Sequence, residues 1–339
     1  MKDKQAFANG DAHQGVRRLK VGEEFAGQRL DNFLARELKG VPRGHVYRLL
    51  RTGQVRVNGG RRRPKYRLAD GDEVRLPPVR LPEREPSTGP LKRTEALLAS
   101  GILFEDKVLL AVNKPPGMPV HGGSGLNGGL IEALRTLRKE PELELIHRLD
   151  RDTSGCLLIA RRRSALRALH AALREGKVDK RYLALLVGRV DQPFVADAPL
   201  ERYVKRGGER HVTVSREGKA AKTFFEPLAS GERASLVLAR PATGRTHQIR
   251  VHALEAGHPV AGDSRYGDKA ANRQLRDLGL RRLGLHAASL CFEHPQTGEN
   301  LSIEAPLPDD LAAAIHALTA GAENQTLRFI RSQGPGIPP

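Results

Sequence analysis

Ile146-His147-Arg148-Leu149-Asp150-Arg151-Asp152-Thr153-Ser154-Gly155 lies near the middle of the chain and runs straight into the apolar stretch Cys156 to Ala160. A charged segment that stops at such a boundary reads as a loop feeding a buried strand. The loop sets one carboxylate, Asp150, between Arg148 and Arg151. Neighbouring guanidinium groups are expected to hold it ionised, since opposite charge at a few ångströms lowers a carboxyl pKa by roughly 1–3 units. An ionised carboxylate can attack a sugar carbon or stabilise a sugar cation, as glycosidic chemistry demands. On residue types alone, a capped turn with solvated charges is the more frequent outcome.

The 339 residues suffice for a sizeable core and suggest two domains. No apolar run nears the roughly 18 residues of a membrane span, and Met1-Lys2-Asp3-Lys4-Gln5 lacks the apolar core of a secretory signal. A cytoplasmic protein with no membrane association is expected. Cys156 and Cys291 sit in apolar surroundings without ligand-like spacing, so no disulfide and no metal is expected. Lys plus Arg exceed Asp plus Glu by 57 to 39, a formal charge of +18. Such a balance favours a polyanionic partner, and nucleic acid fits better than a membrane surface because no basic helix carries Trp or Phe anchors.

Residues 1–17 read as a mobile arm. Over 18–80, Leu30, Phe33, Leu34 and Leu38 fall at helical spacing, and a second short helix starts near Pro42-Arg43. Strands follow at Gln54 to Val57 and Glu73 to Leu76, with Asn58-Gly59 as a turn. Between Arg43 and Arg67 stand nine Lys or Arg, including Arg43, Arg48, Arg51, Arg61 and Lys65, and no acid. Solvated faces usually mix signs, so this module is expected to contact RNA phosphates. Residues 81–100, rich in proline and charge, read as a linker.

The second domain, 101–320, opens with a strand pair around Glu105-Asp106 and continues through Asn113-Lys114-Pro115 to a glycine-rich loop, Gly122 to Gly129. That loop carries neither a P-loop nor a dinucleotide fingerprint, so no cofactor is expected. A helix spans Leu130 to Arg138, and another, capped by Ser164, closes at Gly176. Strands are expected at Lys180 to Val187 and Ser235 to Arg240, with a helix from the His247 region to Ala256. Residues 189–230 give only broken strand signals. Thr297-Gly298 reads as a hairpin turn, Asp310 to Leu318 as a last amphipathic helix, and 321–339 as a disordered tail. Strands in hairpin-like pairs predict an α+β domain with a largely antiparallel mixed sheet.

The string His147-Arg148-Leu149-Asp150-x-x-Thr153-Ser154-Gly155 resembles the active-site motif of the pseudouridine synthases that modify ribosomal RNA. Lys180-x-Tyr182, Arg245-Thr246-His247-Gln248-Ile249-Arg250, Gly257-His258-Pro259-Val260-x-Gly262-Asp263 and Leu285-His286-Ala287 also look like elements of that family. Their order is similar to its large-subunit branch, the RluA family, and the loop after Val120 leans toward the C type within it. The segments Arg29-Leu30-Asp31-x-x-Leu34 and Gly53-x-Val55-x-Val57-Asn58-Gly59 resemble a small RNA-binding domain of the alpha-L type, shared with a small-subunit ribosomal protein.

The resemblance implies isomerisation of uridine to pseudouridine in large-subunit (23S) ribosomal RNA by a monomer acting on naked RNA or an assembling particle. It makes Asp150 the catalytic carboxylate and Arg250 its partner. Tyr182 is to stack on the base and help remove its proton, and Arg148 to fill the place of a flipped nucleotide. Arg245 and His247 are to lie near the RNA backbone or the cleft. A non-catalytic assembly factor and a hydrolase are rival classes. Ser124 lacks a nucleophile elbow and Asp152-Thr153-Ser154-Gly155 departs from the aspartic protease pattern, which disfavours the hydrolase.

Overall fold

The computed structural model describes residues 15–38, 41, 43–79, 88–122, 128–204 and 210–319. The chain divides into two compact units, Met1–Pro86 and Ser87–Pro339. Most of the arm expected over 1–17, part of the expected linker, the centre of the glycine-rich loop and the tail over 321–339 lie outside the described residues.

The first unit runs β1 (Arg17–Lys20), α1 (Leu30–Glu37), α2 (Arg43–Arg51), β2 (Arg56–Val57) and β3 (Glu73–Leu76). Its antiparallel sheet has the order β1-β3-β2. Leu30, Phe33 and Leu34 of α1 and Val46, Leu49 and Leu50 of α2 bury one stripe each against Val57, Val74 and Leu76. Asn58 and Gly59 adopt φ of 51° and 73°, the left-handed pair that a tight hairpin turn requires. Strand β1, which was not expected, begins where the supposed arm ends. Arg17 to Lys20 alternates exposure and pairs Leu19 with Val74, a pattern too short to register as periodicity.

The second unit begins with α3 (Thr88–Ser100), where a linker was expected. Pro90 sits in its first turn, where backbone N–H groups have no intrahelical partner, so the proline removes no bond. There follow β4 (Ile102–Glu105), β5 (Leu109–Lys114), α4 (Leu130–Leu137), β6 (Glu144–Leu145), β7 (Ser154–Ala160), α5 (Arg163–Arg174) and β8 (Asp179–Val187). The chain continues through β9 (Phe194–Asp197), β10 (Leu200–Val204), β11 (Arg210–Val214), β12 (Lys222–Ser230), β13 (Ala234–Pro241), α6 (Gln248–Glu255) and α7 (Lys269–Asp277). It ends with β14 (Leu285–Glu293), β15 (Asn300–Glu304) and α8 (Asp309–Leu318). Helix α5 starts one residue before the cap expected at Ser164, with Arg162 in the cap position and no side-chain cap bond. Gly176 closes it in the left-handed conformation, φ 73°.

The main sheet has the order β4-β5-β7-β14-β8-β13-β12-β9, with β15 on β14 and β6 on β7. All pairings are antiparallel except β7 with β14, so the sheet is mixed and largely antiparallel. Both faces are covered. Cys156 and Leu158 meet Ala165, Leu166 and Leu169 of α5, while Leu157 and Ile159 meet Leu130, Ile131 and Leu134 of α4. That double burial explains why β7 reads as an unbroken apolar run. At the parallel joint Gly155 has φ 111°, and a Cβ there would lie 2.2 Å from the carbonyl oxygen of Ala287. Only glycine lets the motif loop enter β7 at this separation.

Candidate active site

The loop carrying Asp150 is tied down at several points. The imidazole Nε2 of His147 accepts from the Leu158 amide at 3.0 Å, and burial pushes that histidine down to about 4, so it stays neutral. The buried ammonium of Lys114, last residue of β5, donates to the carbonyls of Pro115, Met118 and Arg151 at 2.9–3.1 Å. Ser154 bonds His286 Nδ1 at 2.9 Å and accepts from Arg282 at 2.5 Å. These bonds fix Asp150, whose side chain keeps 22% of its surface exposed.

From the far end of the motif region, α6 brings Arg250. Gln248 organises the preceding loop: its Oε1 accepts from Thr243 Oγ1 (2.6 Å) and from the Arg245 amide (3.0 Å), and its Nε2 donates to Lys222 O and Thr223 Oγ1. Lys180 of β8 donates to Thr243 O at 3.0 Å. His247 turns the chain into the helix with a left-handed φ of 55°. Arg250 Nη1 then donates to Asp150 Oδ2 at 2.9 Å.

The same guanidinium grips a second acid. Its Nε and Nη2 donate to Asp263 Oδ2 and Oδ1 at 2.6 and 2.8 Å, and the Asp263 side chain is fully buried. Asp263 Oδ1 also accepts from the amides of Arg265 and Tyr266. Burial works against ionised Asp263, but Arg250 and the two amides outweigh it and hold the carboxyl below its ordinary value. Burial opposes the Arg250 charge too, and its two acid partners outweigh that, raising its pKa further. The Tyr266 ring lies 5.0 Å from the guanidinium carbon, and the Tyr266 hydroxyl accepts from the Val212 amide at 3.0 Å and meets His247 Nδ1 at 2.7 Å. His247 Nε2 faces Asp150 Oδ1 at 3.8 Å, beyond hydrogen-bond reach.

Arg250 is thus a clamp between a buried, fully bonded acid and a partly exposed one whose Oδ1 has no hydrogen-bond partner among the described residues. Arg148 is exposed beside Asp150, and Arg151 turns to Asp152 at 3.0 Å. The flanking arginines therefore do not supply the ion pair expected from their adjacency; it comes from a residue 100 positions away. Tyr182 of β8 packs at the junction of the core clusters that hold Leu149 and Ile249. Burial first, then Asp150 and Cys156, push its phenol above the ordinary value, so it stays protonated in the free protein. Arg245 is exposed and donates to Ala220 O, whereas His247 lies inside the acid cluster. In the first unit Arg48, Arg51, Arg61 and Lys65 are exposed, and the Arg43 side chain lies outside the described residues. Gly44, Tyr47, Arg48, Arg51, Arg62 and Arg63 line a groove of about 460 Å³. Among the described residues no cluster of His, Cys, Asp and Glu could hold a metal ion, and no helix is long and apolar enough to cross a membrane.

Residues 108–255 match the family model described as RNA pseudouridylate synthase, and residues 28–74 match the S4 domain. The chain is 54% identical over 316 residues to the ribosomal large subunit pseudouridine synthase C of Yersinia pestis, covering 92% of this chain and 98% of that one. The chain belongs to the RluA family of RNA pseudouridine synthases. A relative of the same name from Pasteurella multocida (strain Pm70) is 53% identical, covering 90% of this chain and 95% of its own. Of the solved structures, human RNA pseudouridylate synthase domain containing 4 is similar with TM-score 0.54 and 30% identity, over 67% of this chain and 96% of that one. Human RNA pseudouridylate synthase domain containing 1 gives 0.56 and 27%, over 75% and 100%.

In this pseudouridine synthase, sequence reading left Asp263 and Tyr266 without a role, although Gly262-Asp263 lay inside a family element. The available signal was local: Asp263 precedes Arg265 and Tyr266 amides that can cap it, an Asx turn pattern that predicts a fixed carboxylate.

Proposed function

We propose that the enzyme converts uridine to pseudouridine at specific sites of large-subunit (23S) ribosomal RNA, with Asp150 acting on the ribose of a nucleotide turned out of the stack. The observation that carries this reading is the asymmetry of Asp150: Oδ2 is held by Arg250 at 2.9 Å while Oδ1 has no hydrogen-bond partner within 3.5 Å among the described residues. A carboxylate oriented by one oxygen presents the other to an incoming carbon. The bond from C1′ to N1 breaks with its electron pair going to uracil, C1′ joins C5, and the C5 proton is lost while N1 is protonated. Oδ1 either adds to C1′ or takes the C2′ proton to give a glycal, and a deuterium effect at C2′ separates the two.

Arg250 supplies fixed positive charge, so Asp150 needs no reorganisation as charge develops. Tyr182 forms the wall against which the detached base lies and, with its buried phenol held above the ordinary value, meets that base in the protonated form. Flipping a stacked uridine costs a few kcal/mol, and Arg148, exposed and two residues from Asp150, is to occupy the gap. Arg48, Arg51, Arg61 and Lys65 of the S4 domain, with Arg245, supply phosphate contacts. Site-by-site mapping of pseudouridine in ribosomal RNA from cells with and without the protein tests the reading. One or more sites should vanish, return with wild type and stay absent with Asp150→Asn; an unchanged map would contradict it.

A further inference from the structure

His247 lies beside Asp150 and has no part in the chemistry proposed above. Its Nδ1 lies 2.7 Å from the Tyr266 hydroxyl, and its Nε2 lies 3.8 Å from Asp150 Oδ1, the unbonded oxygen. The Tyr266 hydroxyl already accepts the Val212 amide at 3.0 Å, which leaves its proton and one lone pair for His247. Two arrangements are possible. If Nδ1 carried the proton, a bare Nε2 lone pair would face a carboxylate oxygen, lone pair against lone pair. If Tyr266 donates to Nδ1, the proton sits on Nε2 and points at Asp150. Electrostatics favours the second.

The groups facing this imidazole are Asp150, Asp263, Arg250, Arg265 and Tyr266, and the His211 ring lies 5.9 Å from that of Tyr266. Burial dominates their opposing charges and pushes His247 down to about 4, so the ring is neutral at physiological pH.

We propose that Tyr266 is a positioning residue that fixes His247 as the neutral Nε2–H tautomer, and that this N–H donates to an oxygen of the target nucleotide beside the carbon that Asp150 meets. The proposal rests on the reading of Asp150 given above. The separation of 3.8 Å keeps the proton unclaimed by Asp150 in the free enzyme. A sugar or uracil oxygen entering next to Oδ1 would claim it. The left-handed backbone at 247, φ 55°, is the strain required to aim the ring inward from the start of α6.

That same backbone makes the test sharp. Glutamine carries its amide nitrogen where Nε2 lies, whereas asparagine carries it where Nδ1 lies but tolerates left-handed φ better. If residue 247 only shapes the turn, His247→Asn should outperform His247→Gln. The relay predicts the reverse: in single-turnover reactions of the full chain with a ribosomal RNA substrate, Gln retains the rate within roughly fivefold while Asn loses about a hundredfold. Tyr266→Phe should slow the reaction roughly tenfold with RNA affinity unchanged within about twofold, and in the His247→Gln background it should cost nothing further. Nitrogen NMR of the free protein should show the Nε2–H tautomer in wild type and a mixture in Tyr266→Phe. Asn outperforming Gln, additive losses, or an Nδ1–H tautomer in the wild type overturns the proposal. A wild type with no activity on any ribosomal RNA removes the reading of Asp150 and with it the donation to the nucleotide, and the NMR result then decides whether Tyr266 sets the tautomer.

Discussion

Asp31 in the S4 unit and Asp150 in the catalytic unit are both aspartates paired with an arginine, and they have opposite fates. Asp31 is 7% exposed and has both oxygens occupied: Arg29 donates to Oδ1 and Oδ2 at 3.0 and 2.6 Å, and Tyr47 donates to Oδ2 at 2.9 Å. Its partner stands two positions away. Asp150 is paired across 100 positions, is 22% exposed, and has one oxygen without a hydrogen bond among the described residues. A carboxylate with both oxygens engaged holds a fold together; one held by a single oxygen can react. Residue type and an arginine partner do not separate the two, but the count of occupied oxygens does.

That contrast can be broken most severely at Arg250. Arg250→Met should destabilise the catalytic unit by about 3–5 kcal/mol, because it strands the buried Asp263 charge. Denaturant unfolding of the two variants should show no comparable loss for Asp150→Asn, which strands nothing buried. An equal loss would mean that Asp150 is structural too.

A second effect separates the two units by pH. His286, fully buried at the parallel joint, is pushed from 6.5 to about 4 mainly by burial, with the Arg282 charge adding and the Ala305 carbonyl opposing. The unfolded imidazole takes a proton below 6.5 and the folded one does not until about 4, so stability falls as pH drops through that window, by roughly 3 kcal/mol for this group. For Asp31, burial works against the charge but the Arg29 and Tyr47 bonds outweigh it and lower the folded pKa. Its contribution is present above 3.8 and is lost only as pH falls through the lower folded value. Calorimetry from pH 7 to 4 should therefore show the catalytic transition weakening while the Asp31 contribution holds, with His286→Gln reducing the fall.

Asp31→Asn should cost the S4 unit about 2 kcal/mol through lost charge-assisted bonds, measured by thermal unfolding. Single-turnover chemistry at saturating RNA should be unchanged.

Contiguous signals were legible in the sequence: the loop into β7, the stripes of α1, α4 and α8, the Asn58-Gly59 turn and the basic run of the small unit. The α+β class with a largely antiparallel mixed sheet was legible too. The Asp150–Arg250 pair was not readable from spacing, and came from resemblance. Arg148 and Arg151 misled because adjacency on a turn does not fix a partner: Arg151 bonds Asp152 instead. Strands β9 to β12 escaped because charges and prolines interrupt them, as Pro227 does at the bulge in β12. Helix α3 was hidden by Pro90, which is costly in a helix interior and harmless in a first turn. Asp263 and Tyr266 become significant only when α6 swings Arg250 and His247 onto them, a fact of tertiary structure.

Tritium release from RNA labelled at uridine C5, measured in single turnover for wild type, Asp150→Asn and Asp31→Asn after each is shown to be folded, tests the central distinction most directly. Wild type and Asp31→Asn should release tritium at matching rates, and Asp150→Asn should release none while binding the RNA as tightly. Release by Asp150→Asn at the wild-type rate would contradict the account.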